Sequence, residues 1–413
     1  MTLGEPNSLT IERLGHQGDG IASGPIFVQR ALPGEVVAGQ VEEGRLKAPR
    51  ILTPSSHRVK APCRHYQSCG GCALQHADDG FVTSWKEEVV RSALEAHGLT
   101  ASFRPAHVSP PRSRRRARLT GRRVKSGALV GFHGARSDTI TAVPDCEVLV
   151  PEIVDLLPLM KDLTRLGASR KSVLTFAATA TETGCDLAVE GGNPIEPALR
   201  EAVFSAVADQ NLARLTWNGD RIAQWTTPLV QFGPASVPVP PGAFLQATKS
   251  GERALTNGVI EAVGGAIRIA DLFAGCGTFS LPLAQFAEVH AVEGETSLTA
   301  ALDKGWRHAT GLKRVTSARR DLFRSPLSAE ELEAYQAVVI DPPRAGAAAQ
   351  MEALASSSVP RVAAVSCNPV TFARDAAILR EGDYRLEWVQ VVDQFRWSAH
   401  VELVAGFSRK GSS

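Results

Sequence analysis

The 413-residue sequence predicts a multidomain α/β protein with a small N-terminal β-barrel, a central α+β region and a C-terminal doubly wound sheet. Three observations predict it. The chain exceeds the length at which one hydrophobic core keeps growing. Short β-rich runs punctuated by glycine fill the first 41 residues. After Gly242, apolar strand-like runs alternate with helix-like ones, the pattern of a parallel sheet with crossover helices.

In chain order, the runs Leu9 to Leu14, Ile26 to Val28 and Val36 to Val41 are broken by Gly15, Gly18, Gly20, Gly24 and Pro33-Gly34, as in a small barrel. The polar stretch Pro54 to Pro62 reads as a linker. The middle mixes strands with helices such as Val82 to His97 and Pro197 to Asn211, without a repeat. A second proline-rich stretch, Pro234 to Gly242, precedes the final segment. The expected units are therefore residues 1–55, 56–241 and 242–413.

Hydrophobic residues make up 44% and charged residues 21%, which excludes a disordered chain. The opening Met1 to Thr10 lacks a cationic start followed by an apolar stretch, and no run approaches the roughly 18 apolar residues of a membrane span. A cytoplasmic protein with no membrane partner is expected. A net charge of +2 excludes a general polyanion binder, so a nucleic-acid surface must be local. Eight basic residues crowd the fourteen positions from Arg112 to Lys125 and read as a phosphate-contacting surface.

The chemistry concentrates near the C-terminus. The strand-like run Ile267 to Phe273 leads into Ala274-Gly275-Cys276-Gly277-Thr278, and Phe279 to Phe286 looks helical. Glycines at such a turn let the backbone approach a ligand at the carboxyl end of a parallel strand. Alone, this signal also suits a plain tight turn. Glu293 closes the next strand, Val289 to Val292, where an acidic side chain can accept hydrogen bonds from a ribose diol. Two further strands, Ala337 to Ile340 and Arg361 to Val365, deliver Asp341-Pro342-Pro343 and Ser366-Cys367-Asn368-Pro369 to the same sheet edge. A lone cysteine is usually a small buried hydrophobe. Cys367 differs because it follows a strand, precedes a rigid corner and has Arg344 and Arg374 nearby in sequence, a setting that favours a thiolate.

Of seven cysteines, Cys63, Cys69 and Cys72 cluster, with Cys146 downstream as a fourth thiol. This spacing leaves structural zinc and an iron–sulfur cluster both open. Cys185 and Cys276 read as packing residues.

The set DLFAGCGTF, DPPRAG and SCNPVTFARD, in this order, resembles the uridine-5 RNA methyltransferases, which modify transfer RNA and large-subunit ribosomal RNA. The resemblance spans nearly the whole chain. It implies a Rossmann-like class I methyltransferase domain at the C-terminus and an OB-like TRAM barrel, an RNA-binding unit, at the N-terminus. It also implies Cys367 as nucleophile, Glu402 of His400-Val401-Glu402 as base, and Asp341 at the uracil and methyl donor. S-adenosylmethionine would be held by Gln246, Phe273, Gly275, Thr278, Glu293 and Asp341. Ribosomal-RNA members carry a [4Fe-4S] cluster on the cysteine pattern, which would make Cys63, Cys69, Cys72 and Cys146 its ligands. The implied partner is RNA, most specifically 23S ribosomal RNA at a single-stranded or looped target, bound by a monomer.

The chemistry requires these residue types. Carbon 5 of uracil is a poor nucleophile until a thiolate adds at carbon 6, and its proton must then be removed before the cysteine can leave. Thr278 and Thr248 stand where asparagine is common in the family, and the stretch Gln394 to Ala399 departs from its usual terminal element. These departures bear on the substrate more than on the reaction. The rival readings are an inactive iron–sulfur RNA-binding protein, a transfer-RNA uridine-5 enzyme, a cluster-dependent oxidoreductase and a cytosine-5 enzyme.

Overall fold

The computed structural model describes residues 8–208 and 210–411. Residues 1–7, read above for a leader, Asp209 within the expected Pro197 to Asn211 helix, and residues 412–413 lie outside the described residues.

The N-terminal strands form one six-stranded sheet in the order Arg45–Leu46, Ile26–Val28, Gly20–Ala22, Ser8–Leu14, Val36–Ala38, Arg50–Thr53. Its inward residues, among them Ile11, Val28, Val37 and Leu46, form a core of their own. Glu35 is fully buried there, and its carboxylate accepts from the Leu32 and Ser55 amides and pairs with Arg58, which offsets the cost of burying it.

A seven-stranded sheet follows, running Ile140–Ala142, Gly127–His133, Arg116–Val124, Val173–Thr181, Gly184–Glu190, Leu212–Trp217, Asp220–Gln224. Leu163 on the helix Leu157–Gly167 and Val203 on Pro197–Val207 join Phe176 and the fully buried Trp217 in one apolar cluster, with Cys69 in it and Cys146 against it. Cys185 packs here as well, as expected of it.

The C-terminal sheet has eight strands, in the order Val315–Arg319, Glu288–Glu293, Arg268–Leu272, Ala337–Ile340, Arg361–Ser366, Leu403–Arg409, Tyr384–Asp393, Ser102–Val108. The first five are parallel, and Leu403–Arg409 runs antiparallel to both neighbours. Both faces are covered: Leu255 and Val259 of Lys249–Val263 pack on one, and Phe372 and Leu379 of Pro369–Glu381 on the other. This burial on both sides explains why the parallel strands read as continuous apolar runs.

The expected division at residue 241 is corrected in two respects. The strand Ser102–Val108 belongs to the C-terminal sheet, where it pairs in parallel with Tyr384–Asp393, and the helix Asp79–Glu95 packs into the same core through Val90 and Leu94. Lys86 of that helix is fully buried and donates to Asp393 Oδ1 at 2.7 Å and to the Phe395 carbonyl at 3.3 Å. Deleting one partner of such a buried pair costs about 3–5 kcal/mol, so helix and strand are firmly tied. The second correction concerns Pro234 to Gly242. There Leu229–Phe232 and Ala235–Pro238 form a hairpin whose Val230, Phe232 and Val237 pack against Leu281, Leu298 and Ala301, residues of the expected C-terminal unit. No helix among the described residues is long and apolar enough to cross a membrane.

Candidate active site

At the carboxyl edge of the C-terminal sheet the Arg268–Leu272 strand turns through Gly275 (φ 56°) and Gly277 (φ 100°). A Cβ on Gly277 would lie 2.9 Å from Leu281, so a side chain there would collide with the following helix. A Cβ on Gly275 would meet nothing within 4 Å, so the turn borders open space at this residue. Glu293 steadies the turn: its Oε2 accepts from the Gly275 amide at 2.9 Å and its Oε1 from the Glu295 amide at 3.0 Å. Phe273 holds a left-handed conformation (φ 59°), a strained state for an aromatic residue, and its ring lies 5.3 Å from that of Phe323, which is half exposed. Thr278 lies half buried in the same turn. Cys276 is buried among the hairpin residues, a packing role.

Parallel register puts Asp341 at the level of Phe273, because Ile340 pairs with Leu272. The Arg361–Ser366 strand ends one step later, and Ser366 pairs with Leu403 of the antiparallel strand. The next step of that ladder sets Cys367 across from Glu402. Three strands thus bring nucleophile, carboxylate and base candidates to one edge. The corner after Cys367 is rigid: Asn368 Nδ2 donates to the Arg344 carbonyl at 2.9 Å, Asn368 Oδ1 accepts from the Val370 amide, and Pro369 opens the helix Pro369–Glu381.

A chain of side-chain hydrogen bonds joins the two carboxylates. Gln246 Nε2 donates to Asp341 Oδ2 at 3.3 Å, while Gln394 Nε2 donates to Gln246 Oε1 at 2.6 Å and to Glu402 Oε2 at 3.1 Å. Gln246, Gln394 and Glu402 are all buried. The segment bearing Gln246 is pinned by the arginine-rich stretch. Arg116 donates to the Leu245 carbonyl, and Arg115 to the Gln246 carbonyl through Nε and the Ala247 carbonyl through its amide; Arg115 also pairs with Glu252. Arg112 and Arg118 pair with Glu147 and Glu190. Arg115 and Arg116 of the basic stretch therefore build the site's wall, whereas Arg112 and Arg118 lie exposed in their ion pairs. Thr248 caps the helix Lys249–Val263 through Gly251, a task an asparagine performs equally well.

The electrostatics also depart from expectation. Burial, and then the Glu402 and Asp341 carboxylates, push the Cys367 thiol up to about 11, against a smaller opposing pull from Arg344. Arg374 does not help, because its guanidinium is spent on Asp375 and the Ala345 carbonyl. Burial also raises Glu402, with Asp341 adding to the rise, and raises Asp341, with Asp271 adding to it. Asp271 itself is fully buried and raised to about 7 by desolvation, and its Oδ1 lacks a partner. The buried Asp271 and half-buried Asp341 carboxylates beside an open glycine turn fit a cofactor carrying ammonium and sulfonium charges, which would favour their ionised forms. Motif reading did not single out Asp271 as a ligand candidate, took Arg115 for part of a phosphate-contacting stretch and gave Gln394 no role; only the strand-end position of Asp271 offered a signal.

Cys63, Cys69, Cys72 and Cys146 line one cavity with Arg114 and Phe132, all four as free thiols. Burial pushes Cys72 up to about 12, and it also raises Cys69 and Cys146, with the neighbouring thiols adding to each rise. Among the described residues, no group of three or more His, Cys, Asp or Glu stands in an arrangement that could hold a metal ion. The Ala73 and Leu74 amides, just past Cys72, donate to the Trp397 carbonyl, which ties this segment to the loop ahead of Glu402.

A parallel sheet with one antiparallel strand, helices on both faces and an acidic, glycine-turned carboxyl edge makes a cleft suited to a nucleotide-type cofactor. A family model described as tRNA (Uracil-5-)-methyltransferase matches residues 241–410. An uncharacterized RNA methyltransferase of Brucella suis is 45% identical over 98% of this chain and 98% of its own. The 23S rRNA (uracil(1939)-C(5))-methyltransferase RlmD of Pseudomonas putida is 34% identical over 98% of this chain and 94% of its own. The crystal structure of the Pyrococcus abyssi tRNA (uracil-54, C5)-methyltransferase in complex with S-adenosyl-L-homocysteine shares the fold, with a TM-score of 0.75 at 22% identity over 97% of this chain and 99% of that one. The chain belongs to the RNA (uracil-5-)-methyltransferase family, and it is an S-adenosylmethionine-dependent enzyme acting on RNA.

Proposed function

We propose that the protein methylates carbon 5 of a uridine in 23S ribosomal RNA through a covalent adduct on Cys367. The observation that carries this reading is the register placing Cys367 across from Glu402, with Asp341 at the neighbouring strand end. Ribosomal RNA is the substrate because the relative named for it aligns along nearly the whole chain.

The Cys367 sulfur, once deprotonated, bonds to carbon 6, and the displaced electron pair makes carbon 5 nucleophilic. S-adenosylmethionine, when bound, supplies an electrophilic methyl group. Gln246, Phe273, Gly275, Thr278, Glu293 and Asp341 would hold it along the strand edge. Glu402 then takes the carbon-5 proton, the electron pair restores the carbon 5–carbon 6 double bond, and the thiolate leaves. The target base must be unstacked to reach a half-buried thiol, which favours a single-stranded or looped site. The N-terminal sheet serves as the TRAM-type RNA-binding unit in this reading.

Trapping with RNA in which 5-fluorouridine replaces uridine tests the proposal. Fluorine cannot leave as a proton, so a denaturation-resistant adduct should form, with Cys367 as the modified residue in peptide mapping. An adduct on another residue, or none despite verified binding of cofactor and RNA, rejects it.

The cysteine cavity belongs to the same proposal as the seat of a [4Fe-4S] cluster. The support for it is that Cys63, Cys69, Cys72 and Cys146 line one cavity, as four thiolate ligands of a cubane would. Anaerobically purified protein should contain iron and acid-labile sulfide in equal amounts, and Cys69→Ser should lose both. Stoichiometric zinc in place of iron rules the cluster out.

A further inference from the structure

We propose that Gln394 is a positioning residue for proton removal, holding Glu402 and Gln246 in one hydrogen-bonded chain and so fixing the carboxylate that takes the carbon-5 proton. The inference rests on the reading of Glu402 as the base.

Gln394 follows the strand Tyr384–Asp393 and is 2% exposed. All of its amide is engaged. One N–H meets Gln246 Oε1 at 2.6 Å, the other meets Glu402 Oε2 at 3.1 Å, and its Oε1 accepts from the Ala247 amide at 2.7 Å. That last bond settles the orientation, since a flipped amide would set two donors against each other. The surroundings are shaped for this side chain: a Cβ on Gly251 would lie 2.7 Å from the Gln394 Cβ, so the helix's first turn leaves room only because residue 251 is glycine. On the other side, the buried Lys86–Asp393 pair anchors the adjoining residue.

The direction of the bonds gives the chain its purpose. Amide N–H groups point outward at both ends, Gln394 toward Glu402 and Gln246 toward Asp341, so each carboxylate receives a donor. Glu402 is otherwise buried and faces the Asp341 carboxylate, which opposes a second negative charge. The Gln394 N–H works in the opposite sense. Losing it leaves Glu402 protonated to higher pH, where it cannot accept the carbon-5 proton. Cys367 addition does not use Gln394, so the two steps should separate.

The test is a single-turnover assay on Gln394→Met and Gln394→Glu, scoring covalent adduct and released methylated RNA across a pH series, with Glu402→Gln as reference. Adduct formation should stay within about threefold of wild type. Release should slow about tenfold near neutral pH, and its rising limb should move up by about one pH unit, restoring release under alkaline conditions. Gln394→Glu keeps an acceptor for the Ala247 amide and adds a charge beside Glu402, so its shift should be larger; it decides the matter if Gln394→Met does not fold. If Glu402→Gln accumulates adduct while both Gln394 variants keep the wild-type pH profile, or lose activity equally at every pH, the role of Gln394 is refuted. If Glu402→Gln itself releases product normally, the reading of the base fails instead.

Discussion

Glu402→Gln should stop product release, by roughly 10²- to 10⁴-fold, while a covalent protein–RNA adduct builds up on ordinary, unfluorinated RNA. The variant keeps the nucleophile and the hydrogen bond from Gln394, because an amide oxygen accepts as a carboxylate oxygen does. What it loses is the capacity to take a proton, so the reaction halts with sulfur still bonded to carbon 6. A second consequence concerns stability. Burial raises the Glu402 pKa in the folded protein above its unfolded value, so the stability linked to its proton is fully present below the unfolded pKa and is lost as pH rises through the folded one. Glutamine is neutral throughout. At about pH 4, below the unfolded pKa, the two proteins should melt together; at about pH 9 the variant should melt higher. A dead variant that is also less stable at alkaline pH would contradict the burial argument.

Cys367→Ala should lose turnover on the order of 10⁴-fold or more and form no adduct with either natural or fluorinated RNA. Binding of the cofactor should stay within a few-fold, because none of the contacts at the glycine turn involves the thiol. In the wild-type enzyme the thiol at about 11 means that only a small fraction is thiolate at neutral pH. The sign follows directly: kcat/KM should climb with pH, about tenfold per unit between roughly pH 7 and 9, as long as thiolate formation limits it. A flat profile over that range would show that RNA binding, by bringing other charges to the site, has already lowered the thiol's pKa.

The elements that place Asp341 and Cys367 were readable because each strand is a short run with an apolar centre, leading into a proline corner. Ala337–Ile340 appears with the very bounds expected, and Arg361–Ser366 is longer by one residue. The strand Ser102–Val108 was not readable as part of this sheet. Hydrophobic pattern reports that a segment is half buried, but not which partner, 280 residues away, buries it. The arginine stretch was only partly legible for a related reason: charge density along the chain does not show that Glu252, Glu147 and the Leu245 carbonyl will fold back onto it. Gln394 was invisible because a glutamine between an aspartate and a phenylalanine carries no pattern, and its meaning arises only when Gln246, Ala247 and Glu402 converge on it. The pKa of Cys367 was misjudged in sign because Arg344 and Arg374 are close in sequence, whereas Asp341 and Glu402 are the groups that face it in space.

The eighth strand sets a timetable for the chain's birth. Ser102–Val108 leaves the ribosome about 280 residues before Tyr384–Asp393, the strand it pairs with, which at ordinary synthesis rates is a wait of roughly 14 to 56 seconds. During that interval its edge and the apolar side of the Asp79–Glu95 helix have no sheet to join. A fragment beginning at residue 241 inherits the reverse problem: it presents Tyr384–Asp393 as an open edge, the kind of unpaired strand that recruits other chains. Shortening the protein to the stretch that holds its reaction chemistry should therefore yield aggregates, and a nascent chain stalled before residue 384 should be a client for chaperones.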